Sequence, residues 1–204
     1  LDDNLNVWQT AWVRADCVVR DEKRGILKKQ VDAGLVQVVT GAERTTEQDL
    51  LQLKKHVTPS VTYEAFKIFR EKYPQVYTIA SFIYGMPDDD LETLKALKKA
   101  VHSNFSDMVF LLPYTPFPGT EVWREAQQSG LLEVYDYGRY NLHLPVMRTK
   151  YLTRAQLERW LRSVIFSYLL FNPSTLFKRV AYEKDARKRA VQLSVDEVHK
   201  AFLS

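Results

Sequence analysis

Cysteine is almost absent from this sequence: the 204 residues contain one, Cys17. A single thiol excludes a disulfide within the chain and a metal site built from several cysteines. Low cysteine content is typical of the reducing cytoplasm, so we predict a cytoplasmic location. Because Val18 and Val19 follow it, we expect Cys17 to be a packed structural thiol rather than a reactive one.

Other absences narrow the function further. No apolar run reaches about 18 residues, so no membrane span is predicted. The net charge is +4 without a long basic run, which does not indicate binding to nucleic acid. The four histidines have no second ligand at helical spacing, so no metal site is predicted. Neither a Walker loop nor a Gly-x-Gly-x-x-Gly motif is present.

The stretch from Tyr77 to Thr93 gives the first structural signal. Its first half mixes β-branched and aromatic residues, as a buried strand does. Gly85 and Pro87 end that strand. Three aspartates follow, and Glu92 lies three residues after Asp89, which predicts a helix cap with capping-box spacing. The stretch therefore predicts a strand, a tight turn and a helix.

The same unit recurs along the chain. Three further strands are predicted, at Trp8–Arg14, Leu35–Thr40 and Met108–Leu112. We expect Asp21 to cap a helix that runs to Ala33 and ends at Gly34. Further helices are predicted after Thr46, after Pro59 and over Glu121 to Gln128. Strands that alternate with helices indicate an α/β fold with a parallel sheet, here about four βα units of a partial (β/α) barrel.

From residue 134 the pattern changes to helices alone. We divide the chain into a partial barrel at 1–133 and a helical C-terminal extension at 134–204. Thr153 with Gln156 predicts a helix start, followed by an apolar stripe at three-and-four spacing. Its members are Leu157, Trp160, Leu161, Val164, Ile165, Tyr168 and Leu169. Further helices are predicted over Ser174 to Arg189 and Ser194 to Phe202.

Polar residues at the strand ends define a candidate site. Ligands of parallel α/β folds bind at the carboxyl edge of the sheet, where Arg14, Glu43 and Gly85 are expected. An acid at position 43 could bind an amine or a ribose hydroxyl, although it could equally cap the next helix. An aldolase-type barrel enzyme would need a lysine on a strand, and no predicted strand contains one.

Several motifs in this order resemble the second half of the radical S-adenosylmethionine (SAM) core. The resemblance covers Trp8 to Glu125 and includes Arg14-x-Asp16, Gly41-Ala-Glu43, Ser81-Phe-Ile-Tyr-Gly-Met-Pro87 and Thr115-Pro-Phe-Pro-Gly-Thr120. Asp136-Tyr-x-x-Tyr-Asn141, followed by Pro145-Val-Met147, resembles the C-terminal region of the cobalamin-binding branch. Within that branch the sequence is most similar to the anaerobic oxidative cyclases of magnesium-protoporphyrin IX monomethyl ester.

The resemblance implies a chemistry and a set of residues. In this family a [4Fe–4S] cluster cleaves SAM, and the resulting 5′-deoxyadenosyl radical abstracts a hydrogen from the substrate. Glu43 matches a residue that contacts SAM, and Lys55 matches a basic residue near the methionine carboxylate. Ser81 stands where some relatives have an aspartate on the ribose. The remaining implied cofactor-binding residues are Arg14, Thr40, Gly85, Tyr114 and Phe117.

The sequence also departs from the family. The three-cysteine motif that holds the cluster is missing, as are two βα units and a cobalamin domain. We therefore expect the C-terminal portion of a longer enzyme, inactive alone, whose full-length form uses SAM, a [4Fe–4S] cluster and cobalamin on a tetrapyrrole. The alternatives are a fragment of a cobalamin-dependent radical SAM methyltransferase and a non-catalytic α/β interaction module. Self-association through an uncovered strand edge is a further expectation.

Overall fold

A computed structural model describes residues 7–171 of the chain. The predicted helices over Ser174 to Arg189 and Ser194 to Phe202 lie outside the described residues. Within them, no helix combines the length and apolarity needed to cross a membrane.

Strands and helices alternate along the described chain. The strands are β1 (Gln9–Val13), β2 (Leu35–Glu43), β3 (Tyr77–Tyr84) and β4 (Met108–Pro113). The helices are α1 (Ala15–Lys23), α2 (Ile26–Asp32), α3 (Glu47–Gln52), α4 (Pro59–Lys72), α5 (Leu91–Ser103), α6 (Glu121–Gln128) and α7 (Arg154–Phe171), with a 3₁₀ turn at Tyr137–Arg139. The predicted α/β fold with four strands in βα units is confirmed.

The four strands form one parallel sheet in the order β1-β2-β3-β4. Spatial order equals sequence order, so every connection steps to the next strand in the same direction. Connections of one hand then place all helices on one face of the sheet. This is the arrangement of a barrel wall, whereas a doubly wound sheet reverses its order and has helices on both faces.

Packing agrees with that topology. On one face Val38 packs with Ala65 and Phe69 of α4. On the same face Ala80 and Phe82 pack with residues of α5 and α7. The other face presents a separate apolar row across the sheet, formed by Val39, Tyr77, Ile79, Met108 and Phe110.

The first connection differs from the prediction. Asp21 does not cap a helix, because α1 begins directly after Arg14 and Asp21 lies inside it. The helical conformation is then interrupted at Gly25, which has a positive φ of 67°. A residue with a Cβ adopts this angle only at an energetic cost. One predicted helix is therefore two. Gly34, with φ of 107°, ends the second as predicted.

The C-terminal extension packs against β3 and α5 through α7. Thr153 and Gln156 cap this helix reciprocally, as predicted, since each backbone N–H is bonded by the other side chain. Leu157, Leu161 and Val164 are buried there, and Trp160 donates from Nε1 to the Leu94 carbonyl at 3.2 Å.

Two parts of the extension differ from the predicted pattern. The buried stripe is narrower, because Ile165 and Leu169 are exposed at 45% and 54%. Residues 134–152 are mostly irregular rather than helical. Leu132 forms an isolated β-bridge with Met147, which links the two sides of the predicted boundary after residue 133. The division of the chain at that boundary stays a prediction.

Candidate functional site

The carboxyl end of β2 has an irregular backbone. Gly41 pairs with Ser81 and Glu43 pairs with Phe82, so Ala42 is an extra residue, a β-bulge. Glu43 has a positive φ of 59°, and the N–H of Arg44 donates to the Ala42 carbonyl at 2.7 Å. A glutamate rarely adopts this conformation, which costs on the order of 1–3 kcal/mol. Such strain at a strand end marks a candidate site.

Glu43 and Lys55 form a close ion pair at this strand end. The distance between Lys55 Nζ and Glu43 Oε1 is 2.5 Å. The Glu43 side chain is 12% exposed and that of Lys55 is 39% exposed, so solvent or a ligand can reach the lysine. Lys55 is held by the turn after α3, where its N–H donates to the Leu50 carbonyl at 2.8 Å. Two site residues predicted from the sequence are thus in direct contact.

The absence of a side chain at Gly41 makes room for this pair. A Cβ at position 41 would lie 2.1 Å from Glu43 Oε1 and 2.6 Å from Lys55 Nζ. Gly41 is therefore required for close approach of charged groups rather than for its backbone angles. The pair lies over the sheet face that Val39 shares with Ile79.

Ser81 lies beside this group on the neighbouring strand. It is the ladder partner of Gly41, is 3% exposed, and also pairs with Phe110 on β4. Paired strands lie about 4.8 Å apart, so the serine is one strand spacing from the glycine that supports the ion pair. The structure thus brings together Glu43, Lys55 and Ser81.

Gly85 follows β3, and its N–H makes a hydrogen bond within the protein. Its φ is 79°, and its N–H donates to Asp89 Oδ2 at 2.8 Å. A Cβ there would lie 3.4 Å from Leu157 Cδ1 of α7. Its amide already has a partner, so Gly85 shapes the end of the strand rather than offering a donor to a ligand.

Arg14 and Thr40 do not join the group around Glu43. Arg14 is exposed and forms two hydrogen bonds of 3.0 Å to Asp16, which raise the pKa of the arginine and lower the pKa of the aspartate. Thr40 pairs with Ala80, which packs on the helix-covered face, so Thr40 lies on the side away from Ser81. Its buried hydroxyl has no hydrogen-bond partner among the described residues.

Tyr114 and Phe117 lie in the loop after β4. Tyr114 packs against the apolar cluster of α6 and the extension, and burial raises the pKa of its hydroxyl. Phe117 is 44% exposed, and its ring centroid lies 6.4 Å from that of Tyr140. Tyr137, 61% exposed, meets Tyr140 edge-on at 5.8 Å. We call Phe117, Tyr137 and Tyr140 the aromatic group.

Two buried residues near the site, Arg44 and Asp89, were not predicted from the sequence as site residues. Arg44 is 3% exposed and Asp89 2%, and Arg44 Nη2 lies 2.5 Å from Asp89 Oδ1. The sequence predicted Asp89 as a helix cap, which is wrong, because Asp90 caps α5 by accepting from the Thr93 N–H at 2.8 Å. Three consecutive aspartates gave no signal for which one is buried. Arg44 and Asp89 line an open polar cavity of about 310 Å³ with residues of α3 and of the loop after β3.

No family model matches the chain. The chain is 33% identical over 144 residues to the anaerobic magnesium-protoporphyrin IX monomethyl ester cyclase of Cereibacter sphaeroides, covering 71% of this chain and 22% of that protein. It is 28% identical to the Rubrivivax gelatinosus protein of the same name, with 86% and 30% covered. It is also 28% identical to the bacteriochlorophyllide d C-8(2)-methyltransferase of Chlorobaculum tepidum, with 84% and 40% covered.

A solved structure, an N-terminally deleted Elp3 of Methanocaldococcus infernus, matches with a TM-score of 0.48 at 22% identity, covering 61% of this chain and 28% of that one. The chain spans between about a fifth and two fifths of the length of the relatives described above. The sequence matches extend over most of this chain and name two kinds of enzyme. The chain is therefore a distant homologue of anaerobic magnesium-protoporphyrin IX monomethyl ester cyclases and radical SAM methyltransferases, and it is related to the cobalamin-binding radical SAM enzymes.

Proposed function

We propose that this chain forms part of a longer radical SAM oxidative cyclase. That enzyme would form the isocyclic ring of magnesium-protoporphyrin IX monomethyl ester in (bacterio)chlorophyll biosynthesis. The observation on which the proposal rests is the Glu43–Lys55 pair, 2.5 Å apart over Gly41 at the carboxyl end of β2. The chain would contribute half of the SAM pocket and part of the substrate wall.

The pair is chemically suited to the methionine end of SAM. That end carries one ammonium and one carboxylate, and the site offers one carboxylate and one ammonium. Binding would exchange the internal bond between Glu43 and Lys55 for two bonds to the ligand, so little charge would be left unpaired. Ser81, one strand away, is the residue nearest in the ladder for a ribose hydroxyl. When bound beside a reduced cluster, SAM supplies the deoxyadenosyl radical.

The cluster itself does not fit the residues of this chain. Cys17, the sole cysteine, lies in α1 and is partly buried. One thiolate cannot hold a [4Fe–4S] cluster, which takes three or four cysteine ligands. The cluster and cobalamin ligands are therefore assigned to other parts of the longer protein, and this chain alone is proposed to be inactive.

The aromatic group offers a surface for a flat substrate. The exposed ring of Tyr137 packs edge-on against Tyr140, whose hydroxyl donates to the Val134 carbonyl at 2.6 Å. Rings held in this way present apolar area at little entropic cost, as planar ligands require. Arg139 in the same turn adds an exposed positive charge, complementary to a carboxylate on the ring system. These features support a tetrapyrrole as substrate.

Titration calorimetry of the 204-residue chain with SAM tests the pocket. We expect Lys55→Met to weaken binding by about tenfold or more, because a charge-assisted hydrogen bond contributes about 1.5–3 kcal/mol. Lys54→Met is the matched control, because Lys54 is adjacent, exposed and without an ion pair within residues 7–171. Equal affinities for the two variants, or no binding by the parent chain, would contradict the proposed SAM site.

An absorption titration with magnesium-protoporphyrin IX monomethyl ester tests the aromatic group. We expect Tyr137→Ala to weaken binding by about threefold to tenfold, as loss of one aromatic contact does. Tyr151→Ala is the control, since Tyr151 is 66% exposed and makes no ring contact within the described part. If both variants bind like the parent chain, the aromatic group is not the substrate wall.

A radical SAM methyltransferase is the second candidate, because the matched relative from Chlorobaculum tepidum is named a methyltransferase. The full-length protein distinguishes the two functions. Binding of the magnesium-protoporphyrin ester and its conversion to the cyclised product would support the cyclase. If the ester does not bind while a non-porphyrin substrate is methylated, the cyclase proposal fails.

A further inference from the structure

The buried carboxylate of Asp89 organises the backbone at the end of β3. Its oxygens accept four hydrogen bonds, from the N–H groups of Gly85 (2.8 Å) and Met86 (3.1 Å) and from Arg44 Nη1 (3.1 Å) and Nη2 (2.5 Å). The helix that follows begins with Asp90 as its cap, so Asp89 is not needed for that purpose. Asp89 instead fixes the turn that leaves the sheet.

Arg44 extends the same network to β2. Besides Asp89, its Nη1 donates to the Ile83 carbonyl at 2.9 Å, and its Nε lies 3.3 Å from Asp49 Oδ2. Arg44 directly follows Glu43, so its anchored side chain restrains the strained residue of the ion pair. The ends of β2 and β3, on which the SAM pocket is proposed, are thereby held to each other by one buried pair.

The C-terminal extension is attached to the same point. Thr149 is fully buried, and its hydroxyl donates to the Asp89 carbonyl at 2.8 Å. The Thr149 hydroxyl oxygen also accepts from the N–H groups of Tyr151 and Leu152 at 3.1 and 2.8 Å. The N–H of Lys150 donates to the Pro87 carbonyl at 2.9 Å. The segment that follows the aromatic group is therefore fixed to the turn that carries Gly85.

Stability alone does not account for this network. A buried ion pair often stabilises a fold no better than apolar residues of the same volume. What the pair provides is fixed geometry, because each of its hydrogen bonds has a defined direction. This network joins the two strand ends on which the SAM pocket is proposed to the segment that follows the aromatic group.

We propose that Arg44, Asp89 and Thr149 are positioning residues that couple docking of the C-terminal segment 146–152 to the geometry of the two strand ends. Loosening the segment would then loosen the turn at Gly85 and Met86, although Thr149 contacts neither residue's amide. The consequence for SAM binding rests on the proposed function, whereas the mechanical coupling does not.

Amide hydrogen exchange of the 204-residue chain, followed by NMR, tests the coupling. We expect Thr149→Val to speed exchange of the Gly85 and Met86 N–H groups by about tenfold, as local opening does. Thr153→Val is the control: the hydroxyl of this exposed threonine makes one donor and one acceptor bond in the extension and none to Asp89. Thr149→Ser, which keeps the hydroxyl, should restore slow exchange.

The outcomes separate the proposals. Exchange at Gly85 and Met86 that stays within about twofold of the parent in a folded Thr149→Val chain overturns the coupling. So does equal acceleration by Thr153→Val. If Thr149→Val does not fold, Arg44→Lys is measured instead. Lysine keeps the positive charge but cannot form the two guanidinium bonds to Asp89. Exchange at Gly85 and Met86 that stays as slow as in the parent chain would again overturn the proposal. Weaker SAM binding by Thr149→Val would extend the coupling to the pocket, whereas no SAM binding by the parent chain would count against the proposed function alone.

Discussion

Two adjacent residues at the end of β2 form ion pairs in opposite environments. Glu43 pairs with Lys55, whose side chain is 39% exposed, whereas Arg44 pairs with Asp89 and both side chains are at most 3% exposed. Glu43 is strained and faces a space that only glycine leaves open, while Arg44 is buried and bonded to the Ile83 carbonyl and to the Asp49 and Asp89 carboxylates. Under the proposed function the first pair would exchange its internal bond for bonds to SAM, whereas the second pair would stay intact.

The largest effect is expected from breaking the buried pair. Asp89→Ala should lower the free energy of unfolding by about 3–5 kcal/mol, because it leaves the Arg44 guanidinium buried without its main partner. Urea denaturation measures the loss. Asp88→Ala is the control, because solvent screens its exposed pair with Lys150 and the loss should be much smaller. Similar losses for the two variants would remove the contrast between the pairs.

A smaller structural effect, with a large functional one, is expected at Gly41. A Cβ there meets only the ends of two flexible side chains, so Gly41→Ala should displace Glu43 and Lys55 at a cost of about 1 kcal/mol. The affinity for SAM should nevertheless fall by about tenfold. Gly138→Ala is the comparison, because its Cβ would meet only Asp136 Oδ1, at 3.3 Å. If Gly41→Ala binds SAM as tightly as the parent chain, SAM binding does not depend on the position of the Glu43–Lys55 pair over Gly41.

The smallest effect, and one of opposite sign, is expected at Glu43. Glycine tolerates a φ of 59°, so Glu43→Gly should raise the free energy of unfolding by up to about 1 kcal/mol while abolishing SAM binding. Glu43→Gln keeps the strain and should not raise it. If Glu43→Gly is instead clearly less stable than the parent, the exposed pair contributes more to the fold than its environment implies.

Much of the architecture could be predicted from local pattern. The four strands follow from runs of β-branched and apolar residues, and the parallel order follows from their alternation with helices. The cap at Thr46 and the helix end at Gly34 were also readable, because each depends on residues within one turn. The interruption between α1 and α2 at Gly25 was not predicted, because a single glycine within a helical pattern does not indicate a positive φ.

The candidate site was predicted in part. Glu43, Lys55 and Ser81 were chosen by resemblance, and the structure brings them together without testing their roles. Thr40, also implied by the resemblance, lies on the helix-covered face instead, because it pairs with Ala80. The role of Asp89 could not be predicted, because its partner Arg44 is 45 residues away and the local sequence does not show which aspartate is buried.

The bulge at Ala42 makes the number of residues at this strand end as important as their kinds. Deleting Ala42 would make Gly41 and Glu43 consecutive in the ladder opposite Ser81 and Phe82, and consecutive strand residues point to opposite faces of the sheet. The Glu43 carboxylate would then leave the face on which it meets Lys55 over Gly41, although no charged residue had been lost. In related chains this segment should therefore vary by substitution, with the spacing from the glycine to the arginine position unchanged.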